Sequence, residues 1–401
     1  MPTMHNNVLV WGSIEDATIQ QAARLSRLPF VVGQLALMPD AHVGLGSTIG
    51  TVFATSGAII PAAIGVDIGC GMVARRLGIC ANDLPDGLDQ LHHLIQESIP
   101  AGVGRGHLDG ARVSEADATI DRLLATRRDW DDRDRTRAYS QFASLGSGNH
   151  FIELSLDEHD DVWAVLHSGS RGIGNALATK HIECAKGLMR QYFIELDDQD
   201  LAYLVEGTDE FRAYIDDMEW AQAYAFANRG AMMDEVVRQV AHVLGRELHP
   251  DPVINCHHNY TVKEHHGNRD VWLTRKGAIR AGEGDLGVIP GSMGTSTYIV
   301  QGRGSVSSYM SSSHGAGRRL SRTEARRTLT VESLNEQMQG LAWNASDAKS
   351  LLDEHPDAYK PIAEVMAAQQ DLVEVVHELR QILNYKGVEA PRVRRSGNAR
   401  V

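Results

Sequence analysis

The chain has 401 residues, 43% of them hydrophobic, and its 39 Lys and Arg against 52 Asp and Glu leave a net charge of −13 with histidine neutral. This is the composition of a soluble globular protein, large enough for one big domain or two ordinary ones, and the acidic balance argues against a face that coats nucleic acid. No apolar run reaches membrane-spanning length, Met1 to Gly12 lacks a signal-peptide pattern, and the scattered Cys70, Cys80, Cys184 and Cys256 form no disulfide framework, so a reducing cytoplasm is expected.

Asp16 to Leu28 has helical periodicity, and Phe30 to Leu37 reads as a strand. Met38 to Gly46 follows as a glycine-rich turn carrying Asp40 and His42. Thr48 to Phe53 and Gly57 to Ile64 have the pattern of buried strands and lead into Val66-Asp67-Ile68-Gly69-Cys70-Gly71. Asp83 to Ile99 reads as a helix with His92 and His93 on its surface, Gly102 to Gly110 as a loop, and Ser114 to Trp130 as a second amphipathic helix. Arg127 to Arg137 reads as a solvated helix or connection. A glycine turn from Ser144 to Glu153 enters a strand, and Val162 to Leu166 is a strand ending in His167-Ser168-Gly169-Ser170-Arg171-Gly172-Ile173-Gly174-Asn175. The amides of that loop suit a phosphate, Arg171 adds a bidentate donor, and Asn175 caps a helix running to about Phe193.

Asp217 to Gly245 is a long helix, with Met232 and Met233 assigned to the core. Pro252 to Cys256 is strand-like and ends in His257-His258-Asn259, where strand alternation lets at most one of the two histidines enter a given site. Val271 to Arg280 reads as a strand, and Gly287 to Thr295 as a strand entering a glycine loop. Tyr309 to Ser313 leads to His314-Gly315-Ala316-Gly317-Arg318, and Arg318, Arg322 and Arg326 would share one helical face. Ala358 to Tyr385 reads as a helix with Gly387 after its end. The tail Val388 to Val401, with Arg392, Arg394 and Arg395, is polar and basic and reads as disordered.

These turns present Asp67, Cys70, His150, His167, His258 and His314. A carboxylate and a thiol three residues apart suit a divalent transition metal such as manganese, zinc or iron. With three imidazoles they hold two ions if the thiolate bridges. Paired metals in enzymes usually sit at phosphate chemistry, and the glycine loops supply amides for phosphate oxygens. His314, followed by small residues, fits a sixth ligand, a general base or a nucleophile, and Asp40 is a candidate partner for its ring.

At these positions the sequence resembles the RtcB family of RNA-splicing ligases. The matching stretches are MPDAH at Met38, VDIGCG at Val66, GSGNHFIE at Gly146, HSGSRGIGN at His167, CHHN at Cys256, IPGSMG at Ile289, SHGAGR at Ser313 and YKG at Tyr385. The resemblance spans about Met38 to Gly387 and implies an α+β fold in one large domain over 1–387, with 388–401 as an extension.

The resemblance implies a ligase that joins RNA ending in a 3′-phosphate or 2′,3′-cyclic phosphate to RNA with a 5′-hydroxyl, using GTP and two manganese ions. His314 would form a covalent histidine–GMP. Asp67, Cys70, His150, His167 and His258 would hold the metals, with Cys70 bridging. Asn149 and Asn259 would lie near the GTP phosphates, Glu153 would accept from guanine N1 and N2, and Lys386 would donate to O6. His150, Phe151, Ile152, His258, Pro290, Gly291, Ser292, Met293, Thr297, Gly315, Ala316 and Gly317 complete the implied nucleotide site. Thr297 stands where the family often has serine, and Leu45 replaces a lysine or aromatic. An archease-like helper is a further implied partner. The rival readings are a two-metal phosphoesterase with His314 as general base, and a non-catalytic, metal-stabilised RNA-binding module.

Overall fold

A computed structural model describes residues 2–108, 112, 114–127 and 129–388. The expected disordered tail therefore lies, apart from Val388, outside the described residues. The fold is a mixed α+β one, organised by two sheets. One has six strands in the order Thr3–His5, Val8–Val10, Val31–His42, Ile49–Thr55, Arg269–Lys276 and Asn259–His266. The larger sheet runs Ile254–His257, Gly71–Cys80, Asp161–Ser168, Phe151–Leu156, Val373–Lys386, Thr297–Gly302 and Leu286–Pro290, with Ala342–Trp343 beside Val373–Lys386.

Strand alternation decides where the core sits. Val73, Leu166, Ile152 and Leu154 leave one face of the larger sheet and pack with Met232, Met233 and Val236 of the long helix Asp209–Leu244. Met72, Val165 and Phe151 leave the other face with Val288 and Ile299. A further cluster joins Met38, Val52 and Leu273 of the six-stranded sheet to Ile289, Val300 and Val373 of the larger one. The long helix begins earlier than its periodicity indicated, capped by the Thr208 hydroxyl, and ends on Gly245 in the left-handed conformation.

Several expected elements differ. The expected C-terminal helix is a short helix, Ile362–Ala367, followed by the 14-residue strand Val373–Lys386. That stretch has helix-compatible spacing, but its first half, to Leu379, pairs with Thr297–Gly302 and its second half, from Arg380, with Phe151–Leu156. Tertiary pairing overrides local preference here, and Gly387 is no helix cap. Met38 to His42 belongs to a strand rather than a turn, and only Ala58–Ile59 of the next expected strand forms before Pro61 starts a helical turn, Pro61–Ile64. The helix expected from Asp83 starts at Asp89, and His92 is buried in it with its Nε2 3.2 Å from the Asn384 carbonyl. Ser114–Ala125 and Asp132–Gln141 are separate helices. The helix after His167 begins at Arg171, so Asn175 is inside it and caps nothing.

Candidate active site

Four adjacent strands of the larger sheet deliver the expected metal ligands to one end. Cys70 directly precedes Gly71–Cys80, His150 directly precedes Phe151–Leu156, and His167 lies at the finish of Asp161–Ser168, which is antiparallel to both. Register sets Met72 and Phe151 opposite His167. The edge strand Ile254–His257 pairs His257 with Gly71, which places His258 at the same end. Alternation then separates the two histidines: His257 turns its Nδ1 to the Gly69 carbonyl at 2.8 Å, and His258 enters the site.

Two groups of ligand atoms result, Asp67, Cys70 and His150, and Cys70, His167 and His258, with all atoms in each group within 4.8 Å of one another. Cys70 is common to both. Its Sγ lies 3.3 Å from Nε2 of His150 and 3.3 Å from Nε2 of His167. His150 Nε2 also lies 3.1 Å from Asp67 Oδ2. Gly169 makes room for that carboxylate, since a Cβ there would lie 2.2 Å from Asp67 Oδ1. The Ser170 amide at the following helix start donates to the same oxygen at 3.2 Å. The helix terminus expected to take a phosphate thus holds a protein carboxylate.

Hydrogen bonding fixes the tautomers. His167 Nδ1–H donates to the Asn149 carbonyl at 3.0 Å. His258 Nδ1 faces Asn259 Oδ1 at 3.4 Å, an oxygen that already accepts from the Gly277 amide. Burial, above all, holds both rings well below the usual imidazole range and therefore neutral. Their Nε2 lone pairs then face each other at 2.9 Å beside a thiol, an arrangement that repels itself unless a cation lies between. Burial and the Asp67 charge also push the Cys70 thiol well above its ordinary range, a penalty that bound metal removes. The donor set and its orientation therefore fit divalent metal. Beneath it, the fully buried Arg229 donates to the carbonyls of Gly69 (2.7 Å) and Ser168 (3.1 Å), tying the two ligand turns together.

His314 follows the strand Ser311–Ser313, and its ring centroid lies 4.7 Å from that of His258. Its Nδ1–H donates to Asp40 Oδ2 at 2.6 Å, and its backbone amide donates to the same oxygen at 3.2 Å. Asp40 is fully buried, and Gly317, at φ +72°, passes so close that a Cβ would lie 2.1 Å from the Asp40 carbonyl oxygen. The ring is thus held by a rigid carboxylate, with Nε2 free among the described residues.

Beside His314 opens a cavity of about 580 Å³. Register puts Glu153 opposite Asn384 and Phe151 opposite Lys386, so all four share one face of the sheet, and all four line the cavity. The loops Pro290 to Met293 and His314 to Gly317 line it too, as does Asn149. Glu153 is fully buried, and burial pushes its carboxyl up to about 8. The Thr297 hydroxyl donates to its Oε1 at 2.7 Å, while Oε2 has no partner among the described residues. Lys386 Nζ donates to the Gly148 carbonyl and to Glu354, each at 3.2 Å, and keeps one N–H.

Other expected residues are placed differently. Ile152 points into the core on the opposite face. Asn259 braces the Asp67 turn, with Nδ2 3.4 Å from the Asp67 carbonyl. Arg171 is buried and turned away, donating to the carbonyls of Gly102 and Arg105. Arg318 precedes the helix Arg322–Thr328 and bonds to Glu354, Tyr359 and the Asp353 carbonyl, while Arg322 and Arg326 lie against Asp353. The expected arginine face is therefore split and partly neutralised. Glu354, Tyr359, Gln381 and Asn384 line the cavity and carried no signal in the sequence, apart from the i, i+2 relation of Asn384 to Lys386 once that stretch is a strand.

A model of the family described as "tRNA-splicing ligase RtcB" matches residues 21–387. The chain is 43% identical to the RNA-splicing ligase RtcB of Escherichia coli K12 over 390 residues, covering 93% of this chain and 95% of that protein. It is 30% identical to the RNA-splicing ligase RtcB of Mycobacterium bovis over 414 residues, covering 87% and 95%. It is 29% identical to the tRNA-splicing ligase RtcB of Nanoarchaeum equitans over 446 residues, covering 93% and 92%. With the family's pattern running through nearly the whole fold and through every strand end that meets at the site, this chain belongs to the RtcB family.

Proposed function

We propose that the protein is an RNA ligase that uses GTP and manganese to join a 3′-phosphate or 2′,3′-cyclic phosphate end to a 5′-hydroxyl end. The observation that carries this reading is His314, with Nδ1 tied to a buried carboxylate and Nε2 free at the junction of the ligand cluster and the cavity. A histidine so held is a nucleophile in its reactive tautomer. Nε2 attacks the α-phosphorus of GTP, the bond to the β-phosphate oxygen breaks, and pyrophosphate leaves. Asp40 stabilises the positive charge that develops on the ring. An oxygen of the RNA 3′-phosphate next attacks the same phosphorus and breaks the P–N bond. The 5′-hydroxyl then attacks the activated RNA phosphate, GMP leaves, and a phosphodiester remains. A cyclic phosphate is opened first by hydrolysis.

Asp67, Cys70 and His150 would hold one metal, and Cys70, His167 and His258 a second. When bound, the metals neutralise phosphate oxygens around the reacting centre. Manganese is the family's metal, and the donor set alone also suits zinc or cobalt. Glu153 and Lys386 offer an acceptor and a donor to the guanine edge, a pattern adenine does not match.

The test is self-labelling with α-labelled GTP and manganese, without RNA, followed by denaturation. A label that requires manganese, GTP and His314, and that is lost in acid but survives alkali, is expected. Phosphate release from RNA ends without GTP, and no label on metal-loaded protein, would instead favour a phosphoesterase.

A further inference from the structure

Asn384 is 3% exposed, lines the cavity, and has no partner for its Oδ1 among the described residues. The orientation of its amide follows from its neighbours. Gln381 Nε2 donates to the carbonyls of Ser292 (2.9 Å) and Thr295 (2.8 Å), so Gln381 Oε1 must be the acceptor for the Gly294 amide at 3.0 Å. That oxygen also lies 3.1 Å from Asn384, which must therefore present its nitrogen to it. The Asn384 oxygen is thereby turned away from Gln381 and left unpaired. A buried acceptor without a protein partner is expensive, and at a cavity wall it takes its donor from whatever fills the cavity, water or ligand.

Register places this residue on the same sheet face as Glu153, whose Oε2 is also without a partner among the described residues and whose Oε1 is already taken by Thr297. Lys386 supplies a donor two residues along the same strand. With Glu153 ionised, the form that a bound donor favours, the floor offers one donor and two unpaired acceptors. The guanine edge carries one acceptor, O6, and the donors N1–H and N2–H₂, and one carboxylate oxygen is too few for its N–H groups. The geometry points to Asn384 as the acceptor for the purine 2-amino group, and so as a residue that sets the preference for guanine over hypoxanthine nucleotides. This rests on the guanosine-nucleotide reading above and adds the 2-amino contact to it.

The test compares α-labelled GTP with α-labelled inosine triphosphate, which keeps O6 and N1–H but lacks the 2-amino group. Wild type, Asn384→Leu and Asn384→Ala are labelled with manganese and no RNA, and each pair of nucleotides is read on the same protein preparation. The ratio of kcat/KM for GTP over inosine triphosphate is expected to exceed one in wild type. It should fall roughly threefold to tenfold in both variants, carried by KM, as loss of one neutral hydrogen bond implies. An unmoved ratio overturns the assignment. So does an equal loss with both nucleotides, which would reduce Asn384 to a brace for Gln381. Either result leaves wild-type GTP labelling intact. If wild type takes no label from GTP, or takes it as readily from ATP, the guanosine reading itself falls and the assignment with it.

Discussion

The metal end of the larger sheet and the cavity beside it are built on opposite principles. At the metal end every candidate ligand sits at the terminus of one of four neighbouring strands or in the turn before it, and His167 and Asp67 are oriented by bonds to backbone and His258 by Asn259. In the cavity the walls come from segments far apart in the chain, and the floor holds acceptors that have no partner. A rigid frame suits ions, whose ligands must be pre-positioned and whose charge repays the crowding of lone pairs. Unpaired acceptors suit an organic ligand, whose hydrogen-bond donors complete the site and so confer specificity.

Substitutions separate the two halves. The largest effect is expected at their junction: His314→Ala should take no label from GTP, and Asp40→Asn should lower the labelling rate roughly 10²–10⁴-fold by releasing the ring. A near-normal rate for Asp40→Asn would show that the carboxylate does not orient the nucleophile. Next, Cys70→Ser should lose most bound metal, measured by elemental analysis, because it removes the atom common to both groups. Retention of two ions per chain would break the shared-thiolate reading.

Arg229→Met probes the frame itself. It removes the donors to Gly69 and Ser168, and should lower stability by roughly 2–5 kcal/mol in denaturant titration, with weaker metal retention. An unchanged midpoint would mean that the ligand turns hold without the guanidinium.

The smallest effect belongs to the cavity and depends on pH. The Glu153 carboxyl is raised from 4.5 to about 8 in the folded state. Its folded pKa therefore exceeds its unfolded one. The stability this provides is full below the unfolded value and is lost as pH rises through the folded value. Nucleotide-free protein should thus lose on the order of a few kcal/mol between about pH 4.5 and 8 from this group. Glu153→Gln should flatten that part of the profile. Equal slopes for wild type and Glu153→Gln would show that the group is already ionised in the folded protein.

The two halves also differed in how far they were legible. Asp67, Cys70, His150, His167 and His258 were recognisable because ligand types next to glycine turns are a local signal, and the structure brings all five together. The cavity floor was only half visible. Phe151 and Glu153 lay in an evident strand, but Val373–Lys386 reads as a helix until its two neighbours are known, so Asn384 was hidden.

The sequence by itself determined which side chains are candidates for the chemistry, where the turns that hold them lie, and which family the motifs resemble, because residue type and backbone permissiveness are properties of short stretches. Only the tertiary structure decided that His258 rather than His257 enters the site by geometry, that Arg171 turns away from it while Asn259 braces the Asp67 turn, and that Glu153 and Asn384 share a face with unpaired oxygens. Strand order, register and desolvation are set by partners distant in the chain, and whether a buried donor or acceptor is free depends on those partners.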